Sequence, residues 1–249
     1  MAKLLLRVAA AAVLLVLLTL VGREVPAALA KVSTFRATDH EFHGLRFLTD
    51  ETVLRTAGIG PEANLWDDPS AWEQRLQAHP LVRTASVGRR FPNTLTITVE
   101  ERTPVGLVPR PTLEPVDREG RALPLDPSRF PLDYPILRPG SVEGVEGEEE
   151  FSAVQLRELA AAAETIRQES DFWSGVSEVR PGPHGGFEVQ WGADGALVLF
   201  RLAKPVELRR IREGMAALKD ARERTEDRWP RSVDLRFANL VILGWEDTA

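Results

Sequence analysis

Few residues in this 249-residue chain stand at spacings suited to catalysis or ligand binding. Gly58, Gly60 and Ala63 fit a G-x-G-x-x-A string, whose backbone N–H groups cradle a phosphate when it follows a strand and opens a helix. Here the string follows a helical pattern, and Pro61 removes a donor that a cradle would use, so it reads as a helix-ending turn. His40 and His43 invite a metal, yet residues three apart on a strand point to opposite faces and no third ligand stands near, so both read as solvent-facing. His79 before Pro80 and His184 in a Gly/Pro loop read as turn or surface residues. Glu100 and Glu101 are adjacent on a strand and diverge, which prevents them from acting together as acid and base. Asp67 and Asp68 are better suited to capping a helix. There is no G-x-S-x-G elbow, no H-E-x-x-H helix and no cysteine. The expectation is a non-catalytic chain without a metal or cofactor site.

Net charge and length narrow the class further. A net charge of -6 and a pI near 5.4 disfavour nucleic-acid binding, because neutralising phosphates needs an excess of Lys and Arg. Once the first thirty or so residues are set aside, the remainder suffices for two modest domains, each with its own core. Residues 4–21 are apolar except for Arg7 and Thr19, and as a helix they would span about 27 Å, close to the hydrocarbon thickness. Lys3 and Arg7, the apolar run and Ala28-Leu29-Ala30 also satisfy a cleaved signal peptide. Either way, the chain downstream of this segment is exported.

Periodicity and punctuation supply the framework on which any site would sit. Thr49, Asp50 and Glu51 predict an N-cap and acidic first turn for a helix over 50–57, with Gly58 as its stop. A second helix starts near Pro69, with Asp68 or Ser70 as cap and Glu73 placed for a capping box with Ser70, and ends before Pro80. Residues 82–90 and 94–100 read as strands joined by a turn at Phe91-Pro92-Asn93, with Leu95, Ile97 and Val99 on one face. From 104 to 140 the chain holds half of its 18 prolines, which excludes long helices. A tight turn is expected over 116–121, and a solvated Gly/Glu loop over 142–150.

The last block alternates helices and strands. Phe151, Leu156, Leu159, Ala163 and Ile166 mark one helix face, and Leu208, Ile211, Met215 and Leu218 another. Strands are expected over 176–180, 187–191, 196–202, 233–237 and 240–245, with 192–195 as a hairpin turn. Helices covering an antiparallel sheet give an α+β fold.

The run from 79 to 105 resembles a known family. Its Val, Ala, Val and Arg spacing over 82–90, then Pro92 and Leu95 with alternating hydrophobics, then Glu101 ahead of Pro104-Val105, is similar to the end of the POTRA domain of FtsQ/DivIB cell-division proteins. Gly44 followed by Thr49-Asp50-Glu51 resembles the strand-to-helix junction of that module, 116–120 the start of the family's β domain, and 232–237 with Gly244-Trp245 its C-terminal strands. The resemblance implies an anchor and juxtamembrane segment over 1–30, a POTRA domain (β-α-α-β-β) over 31–103 and an antiparallel β domain over 104–249. It favours an uncleaved, single-pass inner-membrane anchor with a cytoplasmic N-terminus and extracytoplasmic domains at the division septum. The cytoplasmic tail is very short, unlike that of many members.

The resemblance also implies function by docking, with the FtsB/FtsL pair and other septal membrane proteins as partners, and with a partner strand added along the C-terminal sheet edge. The chain has a physical route to this. A terminal strand with no strand after it leaves unpaired N–H and C=O groups that template another chain. Added backbone hydrogen bonds contribute only about 1 kcal/mol each, so side-chain anchors are needed. Phe237 and Trp245 are the aromatic candidates, Arg236 would meet an acidic partner residue, and Asn239, Leu240, Val241, Ile242 and Leu243 complete the segment. Leu240, Ile242 and Gly244 share one face and Val241, Leu243 and Trp245 the other, with the inward face open at this level. Two other classes remain: a POTRA module of an envelope assembly or secretion system, although no barrel pattern follows, and an envelope hydrolase using scattered carboxylates.

Overall fold

A computed structural model describes residues 33–109, 112–126, 129–140, 153–225 and 228–245. The apolar segment over 4–21, Phe151 and the loop over 142–150 lie outside the described residues. Among the described residues no helix is long and apolar enough to cross a membrane. The chain folds as two compact units that divide between Arg102 and Thr103.

The first unit runs β1 (Asp39–His43), α1 (Asp50–Ala57), α2 (Pro69–Gln77), β2 (Val82–Arg90) and β3 (Thr94–Glu101). Its sheet has the order β1-β3-β2, with β1 parallel and β2 antiparallel to the central β3. Thr49 caps α1 from an extended backbone (φ -96°, ψ 155°), its Oγ1 accepting from the Thr52 N–H, and Gly58 ends it in the left-handed region at φ 70°. Asp68 caps α2 by accepting from the Ser70 N–H at 3.0 Å, with Pro69 at the first helical position. Here the expected capping box is corrected: the Glu73 carboxylate leaves the helix end and accepts from the Val87 N–H of β2 at 2.8 Å, tying helix to sheet. Val53, Ala57, Trp72 and Leu76 of the helices pack on Val87, Leu95, Ile97 and Val99 of the sheet in one buried cluster. Glu101 turns back to accept from the N–H groups of Phe47 and Leu48 at 2.7 and 2.9 Å, which sets the approach to Thr49.

The second unit comprises β4 (Gly106–Pro109), β5 (Leu113–Val116), β6 (Ile136–Leu137), α3 (Ala153–Ile166), α4 (Ser170–Trp173), β7 (Val176–Pro181), β8 (Phe187–Ala193), β9 (Ala196–Leu202), α5 (Leu208–Arg224), β10 (Ser232–Asp234) and β11 (Ile242–Gly244). The strands form one sheet in the order β11-β10-β9-β8-β7-β6-β4-β5. The sheet is mixed rather than antiparallel as expected: β4 with β6, β6 with β7 and β9 with β10 are parallel pairs. The helices are the reason. Parallel neighbours need a long crossover, and α3 with α4, and α5, are crossovers between β6 and β7 and between β9 and β10 as well as cover for the sheet.

Register separates the two faces. The pairs Phe187↔Leu202, Val189↔Phe200 and Trp191↔Val198 place buried side chains on one face, against Leu156, Leu159, Ala163 and Ile166 of α3, Phe172 of α4, and Ile211 and Leu218 of α5. Phe172 meets Phe200 edge-on at 4.8 Å and its carbonyl accepts from the Trp191 indole N–H at 2.9 Å. The alternate positions carry a charge row in which Arg138 meets Glu178 at 3.3 Å, and Glu188 accepts from both Arg180 and Arg201. Cross-strand pairs of this kind contribute about 0.2–1 kcal/mol each and help hold register. In the turn after β5, one Asp117 carboxylate oxygen accepts from the N–H groups of Glu119 and Arg121.

Candidate functional site

The C-terminal hairpin lies at one end of the eight-stranded sheet. β10 is held on both flanks, by β9 in parallel and by β11 antiparallel, through Ser232↔Gly244, Val233↔Leu243 and Asp234↔Ile242. β11 pairs with β10 alone, so among the described residues its outer flank has no strand beside it. Both strands are shorter than the expected 233–237 and 240–245. Asp234 explains where β10 ends: its carboxylate accepts from the Arg236 backbone N–H at 3.1 Å and from the Arg236 guanidinium, which turns the chain out of the ladder.

The eight expected docking residues fall into distinct environments. Val241 and Leu243 pack against the core, which settles the inward face, while Leu240 and Ile242 are 55 % and 42 % exposed. Phe237 is 49 % exposed and stands in the turn between the strands rather than in β10, with Asn239 exposed beside it. Trp245 is half-buried, its ring 5.9 Å from the Arg228 guanidinium. Arg236, expected to meet an acidic partner residue, already pairs with Asp234 at 2.6 Å. Burial pushes the Asp234 carboxyl up, but the Arg236 side-chain and backbone hydrogen bonds, with the charges of Arg236 and Arg201, outweigh it and hold that carboxyl below its ordinary value.

One residue that shapes this hairpin is invisible to pattern reading. Arg210 lies in the first turn of α5, only 7 % exposed, and its Nη2 donates to the carbonyls of Phe237 and Leu240, each at 2.7 Å. Beside Ile211 in an amphipathic helix, an arginine reads as polar-face decoration. The only local signal is the three-residue spacing to Glu213, which its Nη1 contacts.

The other chemistry-bearing residues stay scattered. Among the described residues no three His, Cys, Asp or Glu side chains gather to hold a metal. His43 is exposed, but His40 is not solvent-facing: it is half-buried, stacks on Phe42, and its Nε2 is buried without a partner among the described residues. The register that pairs His40 with Leu95 and Phe42 with Ile97, both buried, puts His40 on the core side of the sheet, a side that strand alternation alone does not assign. His79 Nδ1 accepts from the Leu81 N–H at 3.2 Å, and burial pulls its pKa down against the opposing charge of Glu101. Gly58 and Gly60 follow α1, not a strand, and form its C-terminal turn. Glu100 accepts from the Thr84 hydroxyl while Glu101 serves the loop before α1.

A β-α-α-β-β module followed by a mixed eight-stranded sheet covered by helices and ending in the β10–β11 hairpin defines a two-unit α+β protein. Comparison with known proteins gives it a family. The FtsQ-type POTRA domain matches residues 39–102. The cell division protein FtsQ of Rhodothermus marinus is 32 % identical over 228 residues, covering 85 % of this chain and 78 % of that protein. The cell division protein FtsQ of Myxococcus fulvus is 33 % identical over 141 residues, covering 56 % of this chain and 50 % of that relative's length. The cell division protein DivIB of Geobacillus kaustophilus is 32 % identical over 100 residues, covering 39 % of this chain and 38 % of that protein. The chain belongs to the FtsQ/DivIB family of cell-division proteins.

Proposed function

We propose that this chain is a non-catalytic, single-pass inner-membrane scaffold of the division septum, anchored by residues 4–21, that recruits and connects septal proteins of the FtsB/FtsL type through its extracytoplasmic domains. The partner adds an extended segment along β11. The observation that supports this reading is that, among the described residues, β11 ends the sheet with only β10 as a neighbour, beside a turn that exposes Phe237 and Leu240. Backbone pairing along so short a strand is worth only a few times about 1 kcal/mol, so Phe237, Leu240 and Ile242 supply the apolar anchoring that backbone bonds lack. Replacing Phe237 with Ala, or Val241 with Pro, is expected to abolish pull-down of the FtsB/FtsL pair by the full chain while the fold is kept, as read by circular dichroism. Unchanged pull-down by both variants would remove strand addition as the mechanism.

A further inference from the structure

We propose that Arg210 is the positioning residue for the docking edge, holding the β10–β11 turn in its partner-ready shape before any partner arrives; this rests on the strand-addition reading above. The two carbonyls that its Nη2 engages, Phe237 O and Leu240 O, stand at the two ends of that turn, 27 and 30 residues along the chain from Arg210. A guanidinium can serve both at once because Nη2 carries two N–H groups in a fixed plane, while Nη1 remains free to meet the Glu213 carboxylate. The side chains of the same two residues are the most exposed of the large apolar ones along the hairpin, at 49 % and 55 %. Arg210 therefore fixes the backbone from beneath while the anchors project from above.

Two further observations favour positioning over stabilisation. A cleft of about 140 Å³, lined by Leu202, Pro205, Leu235 and Ala238 among others, lies beside the turn and leaves it thinly packed on that side, so hydrogen bonds must do what packing does elsewhere. Among the described residues the Arg210 Nε is also buried with no acceptor. A buried cation with an unmet donor is a poor way to gain stability, whereas a pre-ordered turn reduces the conformational cost that the partner must otherwise meet on binding.

The test uses the full chain in detergent, its Arg210→Met and Arg210→Lys variants, the FtsB/FtsL pair as probe, and amide hydrogen exchange as a second readout. Arg210→Met keeps the apolar stem and removes every donor. Its expected signature is exchange at least about tenfold faster over 237–244, unchanged exchange in β7, β8 and β9, and roughly tenfold weaker binding; a tenfold change corresponds to about 1.4 kcal/mol. Arg210→Lys, which keeps the charge but not the planar fork, should fall between. Wild-type exchange and affinity in both variants would overturn the assignment, as would acceleration spread evenly over the whole sheet, the mark of a merely structural role. The two ideas fail differently. If Phe237→Ala and Val241→Pro both still bind, strand addition is wrong; if neither binds but Arg210→Met does, only the positioning role is wrong.

Discussion

The carboxylate of Asp234 shows how one side chain governs the hairpin. It is buried, ends β10 and holds Arg236 through both side-chain and backbone hydrogen bonds. Its folded-state pKa lies below the ordinary 3.8, so its stabilising contribution is complete above the unfolded value and is lost as pH falls through the folded one. Asp234→Asn is therefore expected to cost about 1.5–3 kcal/mol at neutral pH, the range for hydrogen bonds to a charged group. The difference in melting temperature between wild type and variant should hold from pH 7 to about pH 5 and shrink below about pH 4. A gap that widens on acidification would contradict the pairing. Asp234 engages Nε and Nη2 of Arg236, so Nη1 is the side from which Arg236 would meet an acidic partner residue.

Elements in this protein depend on a few backbone approaches that allow no side chain. After β1 the chain crosses β3 at Gly44, whose φ is +82° and whose added Cβ would fall on the Val99 carbonyl oxygen. The clash is with backbone, so it cannot be relieved by turning a flexible side chain aside. Gly44→Ala should destabilise the first unit by about 2–4 kcal/mol, combining left-handed strain with displacement of the strand; urea denaturation checks it, and a loss under about 0.5 kcal/mol would show that the crossing relaxes freely. The helices were legible for a simple reason: capping is local. Thr49, Gly58, Asp68 and Pro69 act within a turn of their own position. The fate of Glu73 was not legible, because the donor it serves is Val87, 14 residues on in another element.

Across the molecule, the two hydrophobic clusters share no residue: one draws on positions from Phe35 to Val99, the other on positions from Val105 to Leu243. Each unit has the core it needs to fold. Leu76 is fully buried in the first, so Leu76→Ala should cost that unit about 2–5 kcal/mol and lower one calorimetric transition while leaving the second in place. A single transition that shifts as a whole would instead mean that the two cores melt together.

Short-range chemistry is what the order of residues could specify unaided. Alternation marked Leu95, Ile97 and Val99 as one buried face, capping residues marked the helix ends, and the run from 79 to 105 carried the family resemblance that the relatives support. Three features came only with folding. Parallel pairing of β9 with β10 depends on where α5 returns the chain, and no local pattern records that. Which face of β11 is inward depends on the core beneath Val241 and Leu243, since a period of two is symmetric until one side is covered. Arg210 became a buried clamp because the hairpin carbonyls come to it from 27 and 30 residues away, and a hydrogen bond over that separation is written in the fold, where periodicity and spacing have no reach.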